Sequence, residues 1–508
     1  MKALSVAAIA ILGFAVYFNT LGSGFIWDDQ YLVKDNALIK SAGAAPKIFK
    51  SQLGEGAGKT SGFYRPLQVF TYFLNYRLHG LDVRGYHFTN IFFHVLTALL
   101  VLWLADILFK DRLVAFIAAM LFVVHPVHIE AVSYISGRAD PLAAIFLILS
   151  FILYTKYVNE KNTTAGVFML LTYTAALLSR ESSLILPVLL LLYHYSFRKE
   201  LKLARLLPAL LVTLVYIVIR LGILKIIPEP SPYQPALPLR ITGFFVALIN
   251  YAKLIFLPLG LHMEYGVKTN GFADPAAFCG MVLLFALLSF AFIKRRKNTL
   301  AFFSISWFFI TILPQSNIYP VNAYMAEHWL YLPSIGAFLL MARGMGALIR
   351  NKNVRVFGIL ALVLLTAFYS YLTVRQNTYW RDPVRFYKYT LKYVPRSRKV
   401  HIQLGLAYYN AGKNEEAIAC FKRALEFKER RSETYVNIAR VYRKMGRNED
   451  AVRGFKEATA SNPREYAAYY ELGITYYNMG KKKEAERCEE MAAHIRKHLW
   501  ENEIRTPE

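Results

Sequence analysis

Two adjacent carboxylates, Asp28 and Asp29, follow directly on the first apolar run of the chain, residues 3–21. A positioned carboxylate can accept a proton from an alcohol, so either residue is a candidate general base for transfer of a group to a hydroxyl. Charged residues beside a membrane segment are costly and are functional candidates by default. An interfacial turn without chemistry is the alternative, and the sequence leaves it open.

Other ionisable side chains recur in short segments between later apolar runs. Guanidinium groups can hold a phosphate through charge-assisted hydrogen bonds, and the candidates for this role are Arg65, Arg138 and Arg180. The accompanying residues are Glu130, Asp140, Glu181, Glu327, His125, His128 and His328. A carboxylate beside guanidinium groups is what transfer from a phosphate-linked donor to a hydroxyl requires.

Each of these groups also has a structural interpretation. Arg138 and Asp140 could pair with each other, and so could the neighbours Arg180 and Glu181. The spacing His125-x-x-His128-x-Glu130 could hold a metal on a helix, but the sequence contains no second matching cluster. We therefore predict no resident metal; weak binding of Mg²⁺ through water is compatible with the acidic loops but not required.

The elements around these residues are predicted to be membrane helices. The chain has 508 residues, 56% of them hydrophobic, with a formal net charge of +26. Apolar segments lie at about 3–21, 88–109, 113–124, 141–157, 164–178, 183–196, 206–227, 276–293, 299–313, 331–349 and 354–374. Basic clusters between them explain the charge through membrane topology rather than through binding to nucleic acid. The sequence predicts an all-α, polytopic protein of about eleven transmembrane helices in contact with membrane lipid.

The positive-inside rule places the candidate residues and everything after about residue 375 on the extracytoplasmic side. The apolar stretch 240–260 breaks this parity if it spans the membrane, so we place it along the outer interface. The alternative, a true span, would reverse the orientation of all segments C-terminal to it. The three cysteines, Cys279, Cys420 and Cys488, do not suggest a disulfide framework.

The C-terminal part of the chain carries a repeat of 34 residues. Gly412, Gly446 and Gly480 recur at this spacing, as do three sets of small or aromatic residues: Ala417, Ala451 and Ala485; Ala424, Ala458 and Ala492; Tyr408, Tyr442 and Tyr476. This is the tetratricopeptide period, with glycine in the turn between paired helices. We expect a short α-solenoid that binds a protein or peptide, with Glu489 facing water in the last repeat.

The order of motifs resembles the transmembrane-and-tetratricopeptide O-mannosyltransferases. The motifs are "FIWDD" (25–29), "YRPL" (64–67), "HPVHIEAVSYISGRADPLA" (125–143), "SRESSL" (179–184) and "AEHWLYLPSIGAF" (326–338), and the three repeats come after them. The resemblance covers nearly the whole chain and implies a glycosyltransferase of the GT-C class. The implied domains are a GT-C-like domain at 1–375, a linker at 376–397, three repeats at 398–499 and a tail at 500–508.

The resemblance further implies a sugar donor linked to a polyprenyl phosphate and a protein Ser or Thr hydroxyl as acceptor, recruited by the repeats. It places the base within Asp28-Asp29, and we slightly prefer Asp29. The motif Ala326-Glu327-His328 departs from the Ala-Glu-Arg more usual in animal members, so His328 would help to hold phosphate only when protonated. The short repeat array suggests a prokaryotic member.

Two other functions stay open on the sequence alone. The same chemistry could act on a lipid or a cell-envelope glycan instead of a protein. A non-enzymatic membrane scaffold, whose repeats assemble partners, would not need Asp28, Asp29, Arg138 and Arg180 together.

Overall fold

A computed structural model of the chain describes residues 2–227, 235–266, 271–319, 323–427 and 431–504, without the side chains of residues 2, 431 and 497–504. The end of the predicted tail, residues 505–508, lies outside this part. Within the described residues all regular structure is helical, which confirms the all-α prediction. The chain divides into two compact units, Met1–Asp382 and Pro383–Glu508.

The first unit contains sixteen α-helices within its described residues. They are α1 (Lys2–Tyr17), α2 (Ala37–Lys40), α3 (Ala45–Ile48), α4 (Pro66–His79), α5 (Val83–Phe109), α6 (Arg112–Val124), α7 (Ile129–Val132), α8 (Ala139–Glu160), α9 (Thr163–Ser179), α10 (Leu186–Phe197), α11 (Leu203–Ile217), α12 (Leu237–Phe256), α13 (Pro275–Lys294), α14 (Thr299–Ile312), α15 (Pro333–Arg350) and α16 (Arg355–Asn377). Two π-helical turns, Gln30–Lys34 and Val218–Ile223, and several short 3₁₀ turns complete the unit.

Seven helical stretches are long and apolar enough to cross a membrane. They are Ala3–Thr20, Val83–Phe109, Ile135–Glu160, Leu203–Ile223, Leu237–Phe256, Pro275–Lys294 and Arg355–Trp380. An eighth is added if Arg112–Val124 and Pro126–Val132, bent by 54°, form one span. The protein is therefore a multi-pass membrane protein.

The set of spans differs from the predicted one. Eleven segments are reached only when the bent pair and three shorter apolar helices, Thr163–Ser179, Glu181–Phe197 and Thr299–Gln315, are all counted. That set includes Leu237–Phe256, which we expected to lie along the interface, and omits residues 331–349, which we expected to cross. By length and composition alone, Leu237–Phe256 qualifies as a candidate span.

Local signals explain where the long helices begin. Asp82, Asp111, Asn162, Asp274 and Asn298 each precede a helix and accept a hydrogen bond from a backbone N–H of its first turn. Such caps satisfy amide groups that a helix end leaves without a partner. Capping residues in the sequence therefore mark where these five helices begin.

The middle of the unit is closely packed. All apolar side chains of α6 from Ile117 to Val124, apart from Met120, are fully buried, and the helix packs against α5 and α15. A Cβ added to Gly336 would lie 2.2 Å from the carbonyl oxygen of Ser304, so this glycine allows α15 to approach α14. This core supports the polar segments that join the helices.

The described residues of the second unit form seven α-helices, of which the last six make three pairs. They are α17 (Pro383–Leu391), α18 (Arg398–Asn410), α19 (Asn414–Leu425), α20 (Arg431–Lys444), α21 (Asn448–Ser461), α22 (Tyr466–Asn478) and α23 (Lys482–Ile504). Gly412, Gly446 and Gly480 adopt φ values of 75°, 76° and 75° in the turns between helices, a conformation that favours glycine. Glu489 is exposed, as predicted for the last repeat. The segment predicted as a linker, 376–397, contains α17.

Candidate active site

The carboxylate pair lies in a tight turn after the first membrane helix. Trp27 has a φ of 54°, a left-handed conformation that a bulky residue adopts only when its surroundings enforce it. The turn gives its two acids different environments. Asp29 is 1% exposed, whereas Asp28 is only half-buried. Asp28 is therefore the more accessible acid of the pair.

Asp29 is held by donors from two segments of the chain. One carboxylate oxygen accepts the Ile26 N–H at 3.0 Å, and the other accepts the Ser136 N–H at 2.8 Å and the Ser136 hydroxyl at 2.5 Å. Burial raises the pKa of Asp29 to about 7, although these hydrogen bonds oppose the shift. Asp29 thus fastens the first loop to the 3₁₀ turn Ile135–Arg138.

Asp28 faces two tyrosines. Its N–H donates to the Tyr134 hydroxyl at 3.0 Å, and its side chain forms a hydrogen bond with the Tyr31 hydroxyl. Tyr31 also lies within electrostatic range of Arg65. Tyr31 therefore forms a hydrogen bond with the more accessible carboxylate and lies within electrostatic range of a cation of the site.

Arg138, which we predicted to bind phosphate, is enclosed by the protein. Its guanidinium donates to the Asn90 side chain at 2.7 Å, to the Tyr86 carbonyl at 2.9 Å and to the Thr71 hydroxyl at 3.2 Å. The group also lies over the ring of Tyr72, and the residue is 0% exposed. These contacts enclose the Arg138 guanidinium, so in this structure it is not exposed to a phosphate as we predicted.

The remaining arginines form ion pairs that differ from those considered from sequence. Arg180 pairs with Asp140, and Arg65 pairs with Glu181 at 2.9 Å, so neither Arg138–Asp140 nor the local Arg180–Glu181 pair forms. Asp140 lies within electrostatic range of both Arg180 and Arg65. These two pairs bring the predicted motifs around residues 65, 140 and 180 together.

His328 joins this group through a buried glutamate. Its Nδ1 contacts Glu130 at 2.8 Å, and its backbone N–H donates to the other Glu130 oxygen at 3.0 Å. Asp140 lies within electrostatic range of His328. A carboxylate that holds both groups of one histidine fixes the orientation of its ring.

Glu327 has a separate set of partners. It accepts the Tyr265 hydroxyl at 2.5 Å and the His262 N–H at 2.6 Å. Burial and the nearby Glu130 raise the pKa of Glu327 well above its usual range. Glu327 therefore helps to fasten the loop around residue 262 to the segment that carries His328.

The two histidines of the spacing that could have held a metal, His125 and His128, contact backbone and side-chain groups of neighbouring segments. The chain bends at Pro126, so His125 and His128 do not share one regular helix. His125 Nε2 contacts the Ile255 carbonyl at 2.9 Å, and His128 contacts the Phe122 carbonyl at 2.9 Å and Ser334 at 3.0 Å. In the part of the chain that the structure describes, no group of three or more His, Cys, Asp or Glu side chains could hold a metal ion.

Sequence reasoning missed Arg220. This residue lies in the π-helical turn at the end of the candidate span Leu203–Ile223 and is 8% exposed. It donates to the Gly62 carbonyl at 3.0 Å, while its buried Nε–H has no hydrogen-bond partner among the described residues. A lone arginine in the apolar run "VTLVYIVIRLGIL" was a usable signal, because intramembrane charges are functional candidates. Ser136 and Tyr31 carried no comparable signal.

Comparisons with known proteins agree with the arrangement of motifs. Models of the tetratricopeptide repeat match residues 396–464 and 436–497. The chain is 28% identical over 429 residues to a protein O-mannosyl-transferase of Caenorhabditis elegans, covering 79% of this chain and 59% of the relative. It is 26% identical over 461 residues to a protein O-mannosyl-transferase of Mus musculus, covering 80% of this chain and 49% of the relative.

These matches confirm the predicted resemblance to the O-mannosyltransferases. The chain spans 49% to 59% of the length of these two relatives. They give no support to the expected prokaryotic origin. Among solved structures, an Archaeoglobus fulgidus oligosaccharyltransferase is similar with a TM-score of 0.46 and 13% identity, covering 75% of this chain and 55% of that one.

Proposed function

We propose that the protein is a membrane glycosyltransferase of the GT-C class that moves a sugar from a polyprenyl-phosphate donor to a Ser or Thr hydroxyl of a protein. The similarity to protein O-mannosyl-transferases over about 80% of the chain supports the reaction class. The observation that carries the proposal is that the half-buried Asp28 forms a hydrogen bond with Tyr31, which lies within electrostatic range of Arg65. It sets an accessible base next to a cationic region, as transfer from a phosphate donor requires.

Asp28 is the general base in this proposal. Its carboxylate is half-buried, whereas Asp29 is enclosed and already accepts three hydrogen bonds. This reverses our slight preference for Asp29. Asp29, Ser136 and Arg138 act as positioning residues that hold the turn in place.

Arg65 and Arg180 are the cations for the donor phosphate, together with Arg220 and protonated His328. Arg180 is buried and Arg65 is partly buried, each in an ion pair, and Glu181 lies within electrostatic range of Arg65 and Arg220. A charge that develops on the leaving phosphate would be shared with these groups in a site of low dielectric constant, where such stabilisation is strong. Glu181, Asp140 and Glu130 keep the cations in position before the donor arrives.

The reaction is a single displacement. The Asp28 carboxylate takes the proton of the acceptor hydroxyl while the hydroxyl oxygen attacks the anomeric carbon of the sugar. The bond between that carbon and the phosphate oxygen breaks, and its electron pair leaves with the polyprenyl phosphate. The cations neutralise the phosphate, and direct displacement inverts the anomeric configuration.

The site and the repeats act on the extracytoplasmic side, and the repeats recruit the acceptor polypeptide. The basic clusters between the apolar runs support this orientation through the positive-inside rule when residues 240–260 lie along the interface and residues 331–349 cross, as predicted from the sequence. The three repeats present a solenoid of the kind that binds peptides or proteins. The proposed chemistry is the same for any sugar and for any length of the lipid carrier.

The test is mass spectrometry of intact proteins and glycopeptides from surface and secreted fractions. A deletion strain is compared with the same strain complemented with the wild-type chain at equal membrane abundance. The proposal predicts a fixed hexose-like mass on Ser or Thr peptides that disappears with the deletion. Unchanged protein glycosylation would contradict the protein acceptor, and altered envelope glycans in that case would identify the alternative substrate.

A further inference from the structure

A cavity of about 630 Å³ is lined by none of the acidic and cationic groups of the candidate site. Its apolar wall is formed by Leu191 and Tyr195 of α10 and by Leu201. These three side chains are 41%, 55% and 47% exposed, so the wall is open to the surroundings of the helices. In a membrane protein, such an exposed apolar wall can contact the acyl chains of lipids.

Four cations line the rest of this cavity: Arg198, Lys199, Arg295 and Arg296. Within the described part of the chain none of them forms an ion pair, and the neighbouring acid, Glu200, pairs with Lys202 at 3.5 Å. The C-terminus of a helix favours a cation, but it does not require four around one cavity. Mutual repulsion of these groups is relieved when an anion binds between them.

The cationic rim is held by defined contacts. His194 is 4% exposed; its Nδ1 contacts the Lys199 carbonyl at 3.2 Å and its Nε2 contacts the Tyr154 hydroxyl at 2.8 Å. The Lys199 N–H donates back to the His194 carbonyl at 3.0 Å. Arg198, with a φ of 51°, ends α10, and its guanidinium contacts the Arg296 carbonyl at 3.5 Å. The two basic segments are thereby fixed on either side of one space.

The position of the cavity separates it from the proposed reaction. Glu181 and Arg180 lie at the beginning of the helical segment Glu181–Phe197, and His194 lies near its end. At about 1.5 Å per residue, the helical segment between Glu181 and His194 is roughly 20 Å long. The basic cavity thus lies at the opposite end of this segment from the candidate active site.

We propose that this cavity binds the phosphodiester headgroup of an anionic phospholipid. The four cations would contact the phosphate, and the apolar wall of Leu191, Tyr195 and Leu201 would contact the first carbons of the acyl chains. Basic pockets between transmembrane helices are suited to such headgroups. This inference does not depend on the proposed glycosyltransferase activity.

The test is native mass spectrometry of the purified full chain in detergent, titrated with phosphatidylglycerol or phosphatidylcholine. We expect the wild type to retain phosphatidylglycerol preferentially, and the double variant Arg295→Gln/Arg296→Gln to bind it roughly tenfold more weakly, since two charge-assisted contacts are lost. The double variant Lys352→Gln/Arg355→Gln is the matched control, because it removes two exposed cations elsewhere in the same unit. Melting temperatures are compared to establish that both variants fold.

Two further measurements distinguish a lipid headgroup from free phosphate as the ligand of the cavity. Leu191→Asn should weaken lipid binding while all four cations remain, and inorganic phosphate at the same concentration should not displace the lipid. The proposed lipid site would be contradicted if the control variant lost as much phosphatidylglycerol binding as Arg295→Gln/Arg296→Gln, or if Arg295→Gln/Arg296→Gln lost none. Displacement of the lipid by inorganic phosphate at equal concentration would contradict a lipid ligand and would indicate that the cavity binds soluble phosphate.

Discussion

Ser136 donates both its backbone N–H and its hydroxyl to the same carboxylate oxygen of Asp29, at 2.8 and 2.5 Å. The two residues come from the loop after the first membrane helix and from the turn before α8. This contact fastens the strained turn at Trp27 to the packed core of the unit. Ser136 therefore supports the orientation of Asp28 through its neighbour Asp29.

The buried carboxylate of Asp29 should make stability depend on pH. Its pKa is raised from 3.8 to about 7, so the folded chain holds a proton between these values that the unfolded chain releases. Stability is therefore highest at low pH and falls as the pH rises through this window, by about 4 kcal/mol at most. Melting temperatures in detergent at pH 5 and pH 8 should differ less for Asp29→Asn than for the wild type. An equal difference in both proteins would contradict a raised pKa of Asp29.

Variants of the ion pair between Arg180 and Asp140 should affect the stability of the protein and its transfer activity differently. Arg180→Gln leaves a buried carboxylate without its cation and should lower the free energy of unfolding by about 3–5 kcal/mol. The double variant Arg180→Gln/Asp140→Asn removes both charges and should recover most of that stability. Glycopeptide occupancy should stay low in both, because the phosphate has lost a cation. Recovery of occupancy along with the melting temperature would assign the pair a purely structural role.

The fold was largely predictable because its signals are local. Apolar runs in the sequence predicted the positions of the long helices. The glycines at a spacing of 34 residues predicted the turns of the second unit, and their positive φ values explain why glycine occurs there. The pairing of charges was not predictable, because Arg65 and Glu181 meet across 116 residues of chain. The burial of Arg138 also depends on Asn90 and Tyr86, which no sequence pattern connects to it.

The side chain at position 328 should contribute to transfer through its charge beside Glu130. His328→Arg places a permanent cation there and should retain transfer, whereas His328→Gln removes the possibility of a charge and should lower the rate. Initial rates of glycopeptide formation from membranes measure this. Equal rates for the wild type and His328→Gln would remove His328 from the phosphate site.

The exposed tyrosines of the last repeat should contribute to acceptor recruitment. Tyr470 and Tyr477 are 48% and 67% exposed on α22, where they do not support the core. Tyr470→Ala/Tyr477→Ala should lower the occupancy of protein acceptors without lowering the melting temperature, because exposed aromatic residues anchor binding surfaces. Tyr393→Ala, an exposed tyrosine outside the repeats, is the matched control. If the control variant and the double variant reduce occupancy equally, the repeats are not the recruiting surface.

The most direct test of the proposed function measures the occupancy of Ser and Thr glycopeptides in a deletion strain. The strain is complemented with the wild type, Asp28→Asn or Asp29→Asn. Membrane abundance and melting temperature are matched first. We predict that Asp28→Asn abolishes the hexose-like modification while it leaves the folded protein intact, because it removes the proton acceptor. Asp29→Asn should retain a reduced level, since Asn can still accept hydrogen bonds from Ser136. Full modification by a folded Asp28→Asn protein would contradict the assignment of Asp28 as the base.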